Sequence, residues 1–362
     1  MLITLKKYYK TNKQYSFDDL FNNFDINFNP NNNLKQYTIE TNAPKKTPQH
    51  ILYCKQRLTQ LITQYPIITT ITKKEIASCY TKTRIPKKSG GFRTINAPNE
   101  ELKALQKRIV QTLQDLNVLE HDSAFAYVKG RSIYNAIERH QQNNSKWFYK
   151  IDLKDFFGSC NSEFIYKQLK QIYPFALLTS DPEYDMIIKN IIKVACLHGK
   201  LPQGNPISPY LTNLIMIPID YKLNMLAPVY TRYSDDMLFS ARHKINTTKL
   251  NKQILEVLKE TPLFINNEKT RLGSINGNNW NLGLMLNKDN NITLGHEKKR
   301  RFKATIDQFL YNPDKYSISE RQKLAGITAY YLHIEGPYIR YIIDKYNKRH
   351  NKNLLELLHH PL

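Results

Sequence analysis

The stretch Tyr230-Thr-Arg-Tyr-Ser-Asp-Asp-Met-Leu-Phe-Ser240 holds two adjacent carboxylates, Asp235 and Asp236, between two runs of β-forming residues. Residues 229–233 and 237–240 read as strands, and the Ser-Asp-Asp between them reads as a tight turn. Two like charges at a hairpin tip repel unless a cation lies between them. Oxygen ligands on a rigid turn suit Mg²⁺ or Mn²⁺. A solvated acidic turn would look the same in isolation, so the surrounding chain has to decide. Asp152 is a third acid, at the end of the apolar run Trp147-Phe-Tyr-Lys-Ile-Asp. An acid in that position is either a metal ligand or a helix cap. Lys269 falls in a loop or short strand within Ile265-Asn-Asn-Glu-Lys-Thr-Arg271.

Basic residues gather at several other points. Arg84 to Pro98 reads as two strands around Gly90-Gly91, and Lys87, Lys88 and Arg93 on such a hairpin can lie over a triphosphate. A solvated charged hairpin is the alternative. Lys129-Gly130-Arg131-Ser132 reads as a basic turn entering a helix, a phosphate-binding arrangement. Asn135 and His140 just beyond it suit either RNA contact or local capping. Leu201-Pro-Gln-Gly-Asn-Pro is a loop entering a helix, where Gln203 could meet a planar group. Trp280 to Leu286 reads as a strand pair with a close backbone approach at Gly283.

The elements that must position these residues are mostly amphipathic helices. Residues 48–64 carry Ile51, Leu58 and Leu61. Asn99 reads as the cap of a helix with Leu102, Leu105, Ile109 and Leu113 on its core face. Ser162 reads as the cap of the next helix, and residues 183–197 form another that stops at His198-Gly199. Helices follow around Leu250–Leu258, from 297 onward, and at about 319–332 and 337–350. The 297 helix crowds Lys298, Lys299, Arg300, Arg301 and Lys303 at one end. Residues 1–45 are polar and Asn-rich, with little periodicity.

With 362 residues, 53 Lys+Arg against 31 Asp+Glu and a net charge of +22, the composition points to a polyanionic partner. A basic protein of the membrane surface is the rival reading. No apolar run reaches the length of a spanning helix and no signal peptide opens the chain, so the expectation is a cytoplasmic protein with no membrane partner. Four cysteines, Cys54, Cys79, Cys160 and Cys196, lack metal-type spacing and read as free thiols.

In order along residues 84–286, these motifs together resemble the reverse transcriptases of the retron and group II intron kind. The motifs are the Arg-Ile-Pro-Lys hairpin, Lys-Gly-Arg-Ser, Asp152-Leu-Lys-Asp-Phe-Phe157, Leu201-Pro-Gln-Gly, Tyr233-Ser-Asp-Asp236, Asn267-Glu-Lys-Thr270 and Leu282-Gly-Leu284. The resemblance implies an α+β right-hand polymerase with fingers, an antiparallel palm sheet, a helical thumb and an N-terminal extension. Its boundaries would be 1–75 for the extension, 76–145 plus part of 160–205 for the fingers, 146–286 for the palm and 287–362 for the thumb. It implies RNA-directed DNA synthesis by two-metal nucleotidyl transfer, with Asp152, Asp235 and Asp236 as ligands of two Mg²⁺ ions, Mn²⁺ being the alternative.

Further roles are carried over by the same resemblance. Lys269 would donate a proton to pyrophosphate. Lys87 or Lys88, Arg93, Asp155, Phe156, Phe157 and Gln203 would surround the incoming dNTP, with Phe157 as the gate against a ribose 2′-OH. Lys129, Arg131, Tyr233, Leu282, Gly283, Lys298 and Arg301 would contact nucleic acid. The implied partners are a noncoding RNA template, the DNA product, and a second copy of the chain or an effector protein, in a free-standing antiphage-defence enzyme. Two departures concern subtype: His140 stands one residue later than retrons place their histidine, and Asn281-Leu282-Gly283 replaces Val-Thr-Gly. A template-independent or protein-primed polymerase and a non-catalytic RNA-binding scaffold are the competing functions.

Overall fold

The structure, a computed structural model, describes residues 47–87, 90–277 and 282–359. The Asn-rich stretch 1–45, Lys88 and the Trp280-Asn281 pair lie outside the described residues.

A five-stranded antiparallel sheet carries the acids. β3 (Trp147–Lys154) lies between β5 (Asp236–Ala241) on one side and β7 (Arg271–Ser274) and β6 (Phe264–Ile265) on the other, and β4 (Val229–Tyr233) flanks β5. Side chains alternate between the faces of a strand. Tyr149, Ile151, Leu153, Tyr230, Met237 and Phe239 therefore share one face and join the larger hydrophobic cluster. Phe148 and Leu238 point to the other face and join a second cluster with Ile137 and the C-terminal helices. Apolar packing covers only the Phe148–Leu238 end of that second face. Lys150, Asp152, Asp236 and Tyr233 occupy its other end.

The larger cluster is built by the helices read from the sequence. Thr47 caps Pro48–Gln64 and Asn99 caps Glu100–Asp115, each through a side-chain oxygen that accepts a backbone N–H. Residues 48–75 pack into this core through Cys54, Leu58, Leu61, Ile68 and Ile71, so this part of the expected N-terminal extension shares the main core. The helix after β3 begins one residue earlier than expected. Asn161 is its cap, accepting from Phe164 N at 2.8 Å, and Ser162 instead donates to the carbonyl of Gly199 at 3.1 Å. The helix Ser208–Asn224 is buried nearly all round, which explains why its apolar residues show no one-sided stripe.

A separate ribbon pairs β1 (Tyr80–Pro86) with β2 (Phe92–Pro98), turning at Gly90 and Gly91, both at positive φ. It docks on the 201–206 loop: Asn96 N donates to Gln203 O at 2.8 Å, and a Cβ on Gly204 (φ +114°) would lie 2.7 Å from Ile95 Cγ2. Near the C-terminus, β8 (Met285–Leu286) pairs with β9 (Ile292–Thr293), followed by helices His296–Tyr311, Ile318–His350 and Leu354–His359. The long helix breaks at Glu335, two residues before Pro337, as the sequence division into two helices anticipated. The Glu335 carboxylate accepts from Leu294 N at 2.8 Å and from Lys299 Nζ at 2.6 Å.

Candidate active site

Antiparallel pairing makes Asp152 and Asp236 direct register partners across β3 and β5. Tyr233 pairs with Asp236, which leaves Ser234 and Asp235 as a two-residue loop. Ser234 is at φ 60°, the positive first central position of a type II′ turn. Strand β5 thus begins at Asp236, and the turn is one residue shorter than the expected Ser-Asp-Asp. The amide of Leu153 donates to Asp235 O at 3.1 Å, which ties the turn to the end of β3. Asp152 and Asp236 thus meet across two adjacent strands, with Asp235 in the adjoining turn.

The turn is braced from the core side. Arg232 donates from Nε to Asp220 Oδ1 at 2.9 Å and from Nη2 to Oδ2 at 2.8 Å, with both side chains fully buried. Its Nη1 donates to Asn213 Oδ1 at 3.2 Å and to Ser234 O at 3.3 Å. Tyr230 OH donates to the same Asp220 at 2.8 Å, so each oxygen of the buried carboxylate is satisfied. The free edge of β4 is covered by residues 123–125, through Arg232 N to Ser123 O and Phe125 N to Arg232 O. Tyr127, at φ 61° and half exposed, donates its hydroxyl to Ser234 Oγ at 3.3 Å.

On the open face the acids hold cationic partners. Lys269 Nζ lies 3.0 and 3.1 Å from the two oxygens of Asp152, and Asn266 Nδ2 donates to that carboxylate at 3.2 Å. Lys150 Nζ lies 2.8 Å from Asp236 Oδ1. Burial pushes the Asp235 carboxyl above the usual range, and the nearby Asp236 and Asp152 charges push it the same way. Among the described residues no three His, Cys, Asp or Glu side chains are gathered as a ready metal cage. Two of the acids are instead paired with lysines. The donor set still fits hard divalent cations: three carboxylates, all oxygen donors, two on the β4–β5 hairpin and one on the neighbouring β3, with negative charge disfavoured at Asp235.

The residues expected around the nucleotide lie beyond the end of β3 and on the ribbon. Asp155 is exposed in the left-handed region (φ 44°), its carboxylate in the space a side chain on residue 158 would need, which Gly158 leaves free. Phe156 is 2% exposed and belongs to the larger core, which moves it out of the nucleotide-facing set. Phe157 is partly buried against that core. Arg93 shares a ribbon face with Ile85, and Lys87 closes the ribbon turn by donating its N–H to Gly91 O at 3.0 Å. Gln203 is half-buried beneath β2.

Residues 85–305 match the family model described as reverse transcriptase (RNA-dependent DNA polymerase). The chain belongs to this family. The retron Ec83 reverse transcriptase of Escherichia coli is 28% identical over 318 residues, covering 82% of this chain and 96% of that protein. The retron Ec73 reverse transcriptase of Escherichia coli is 30% identical over 72% of this chain and 85% of that protein. The retron Mx65 reverse transcriptase of Myxococcus xanthus is 29% identical over 69% of this chain and 60% of that protein. The protein is thus a retron-type reverse transcriptase, an RNA-directed DNA polymerase with the right-hand polymerase fold.

The nucleic-acid set of this reverse transcriptase is unevenly placed. Lys129 is exposed and Tyr233 borders the acids. Arg131 instead donates to the carbonyls of His121 and Ala124, both at 2.7 Å, and lies over the Phe125 ring, so it shapes its own loop. Leu282 and Gly283 have positive φ, and Lys298 Nζ donates to Gly283 O at 2.6 Å. Gly283, Glu297, Lys298 and Arg301 line a cavity of about 420 Å³, where Arg301 is paired to Glu297. His140 and Asn135 serve local structure. His140 is buried between Ser240 Oγ (2.6 Å) and Thr231 Oγ1 (2.7 Å), and Asn135 Oδ1 accepts from Ser132 Oγ at 2.7 Å. No described helix is long and apolar enough to cross a membrane.

Sequence reasoning missed Lys150, Asn266, Asp220 and Arg232. Lys150 was recoverable, because two residues before Asp152 on a strand is the same face. The Asp220 partnership was not, because nothing local links a helix residue to a strand twelve positions later.

Proposed function

We propose that this reverse transcriptase copies a noncoding RNA into DNA with Asp152, Asp235 and Asp236 holding a pair of divalent ions, Mg²⁺ or in its place Mn²⁺. The supporting observation is the register pairing of Asp152 with Asp236, with Asp235 in the adjoining two-residue turn. Held by these three carboxylates, such ions would supply activation of a primer 3′-OH and charge stabilisation for the leaving pyrophosphate. Lys269, already at Asp152, is the proton source for that pyrophosphate. Arg93 and Lys87 take the triphosphate, Gln203 lines the base pair, and Phe157 excludes the ribose 2′-OH. In this reading residues 76–145 with part of 160–205 are fingers, 146–286 palm and 287–362 thumb.

Primer extension on an RNA template with dNTPs and Mg²⁺ tests the activity. Wild-type protein should extend the primer and the Asp235→Ala/Asp236→Ala double variant should not; equal extension by both would refute the assignment. Sequencing the nucleic acid that copurifies with the protein identifies the template. DNA still attached to the protein after denaturation would instead mark protein priming.

We further propose a cellular role in antiphage defence alongside an effector protein, on the strength of the likeness to retron enzymes. The native locus introduced into a phage-sensitive host should lower plaque counts, and the double variant should restore them. Equal plaque counts would remove this role and leave the enzymology intact.

A further inference from the structure

Lys150 has no role in the reading above, yet its ammonium sits among the acids. Residues two apart on a strand share a face, so Lys150 and Asp152 project together from β3. Asp236 faces Asp152 across the ladder, which puts Lys150 on the diagonal to Asp236, within reach of a long side chain. The resulting ion pair measures 2.8 Å, with the Lys150 side chain 24% exposed and that of Asp236 21%. Lys269 holds Asp152 in the same manner. Asp235 has no ion pair among the described residues, so the two strand-borne acids are neutralised by lysines and the turn acid is not.

An ammonium at hydrogen-bonding distance offsets a carboxylate's charge, and a divalent cation that binds the same carboxylate meets electrostatic repulsion from it. We propose that Lys150 is a positioning residue, the resident counter-cation of Asp236, which competes with divalent metal for that carboxylate. In the metal-free protein it holds β3 and β5 together at the acid end. When metal loads, the Lys150 ammonium either moves away from Asp236 or stays beside the metal at an electrostatic cost. Metal affinity is thereby set lower than the three carboxylates alone would give.

This proposal rests on the assignment of the three aspartates as metal ligands, and the test separates the two. Mn²⁺ binding is measured by electron paramagnetic resonance on the full chain without nucleic acid, for wild type, Lys150→Met, Lys150→Arg and Asp235→Asn, and each is melted in EDTA. Lys150→Met should bind Mn²⁺ about threefold to tenfold more tightly while melting at a lower temperature in EDTA. Lys150→Arg, which keeps the cation, should return affinity to near the wild-type value. A purely structural lysine would lower the melting temperature without tightening Mn²⁺. Unchanged or weaker Mn²⁺ binding in Lys150→Met, with Asp235→Asn still losing it, overturns the role of Lys150 and leaves the metal assignment standing. Unchanged binding in Asp235→Asn overturns both. If Lys150→Met does not fold, Lys150→Gln carries the same comparison.

Discussion

The guanidinium of Arg232 and the carboxylate of Asp220 form a two-pronged ion pair with neither side chain exposed, and the third nitrogen of the same guanidinium holds the carbonyl of Ser234. Removing one partner strands the other's charge in the core, a loss of about 3–5 kcal/mol. Arg232→Met should therefore be strongly destabilised in denaturant melts. Arg232→Met/Asp220→Leu should recover part of that stability. It should not recover primer extension, because Ser234 would still lack its donor. Full recovery of extension by the double variant would show that the brace is not needed to place the turn.

Asp235 keeps its proton more readily in the folded protein than in the unfolded chain, chiefly because it is buried. The folded state thus binds the extra proton, and this residue's contribution to stability falls as pH rises through the interval between its unfolded and its raised folded value. Above that interval the charge is a net cost. Asp235→Asn should melt about 1–3 °C higher than wild type in EDTA at pH 7.5, with the difference vanishing near pH 3. It should also lose polymerase activity. A lower melting temperature at pH 7.5 would contradict the reading.

Complete burial pushes the His140 imidazole down to about 3 from 6.5. The unfolded chain binds this proton first, so the stability held at neutral pH is lost as pH falls from about 6.5 toward 3. The slope from this one group is at most about 1.4 kcal/mol per pH unit. Urea titrations of wild type and His140→Gln between pH 7 and pH 4.5 should show the wild type losing stability more steeply. Parallel curves would mean that His140 does not stay neutral.

Phe156 and Phe157 are neighbours with different surroundings, so their variants should fail differently. Phe156→Ala removes a core ring and should cost about 3–5 kcal/mol in a denaturant melt. Phe157→Ala should fold, and should lower the preference for dNTP over rNTP in primer extension by roughly tenfold or more. An unchanged preference would remove Phe157 as the gate.

Gly204 sits where the ribbon meets the 201–206 loop. A methyl there would meet Ile95 Cγ2 and, at 2.8 Å, the Asn96 carbonyl, on backbone at φ +114°. Gly204→Ala should cost about 1–3 kcal/mol and shift β2 against Gln203. Steady-state kinetics should then show KM for dNTP rising several-fold with a smaller change in kcat. A change confined to kcat would place the effect elsewhere.

The sequence was most legible where short-range rules operate. Asn99 caps the helix assigned to it, a helix follows the Lys129–Ser132 turn, Gly90-Gly91 turns the ribbon, and the C-terminal helices divide near Glu335. These depend on neighbours within a few positions. The acids could be placed on strands, but the pairing of Asp152 with Asp236 spans 84 positions of sequence and came only from the family resemblance. Arg131 shows the limit most clearly. A basic residue beside glycine looks the same whether it meets a phosphate or its own loop's carbonyls. Phe156 and Phe157 likewise differ only in which way a short helix turns them.

Phe148 and Leu238 are rooted in β3 and β5, the strands that bear Asp152 and Asp236, yet their side chains belong to the C-terminal cluster. A force applied to the helices after residue 296 therefore has a mechanical path of two side chains into the catalytic strands. Loosening that cluster by substitution would thus reach the two strands that bear Asp152 and Asp236 without touching either acid.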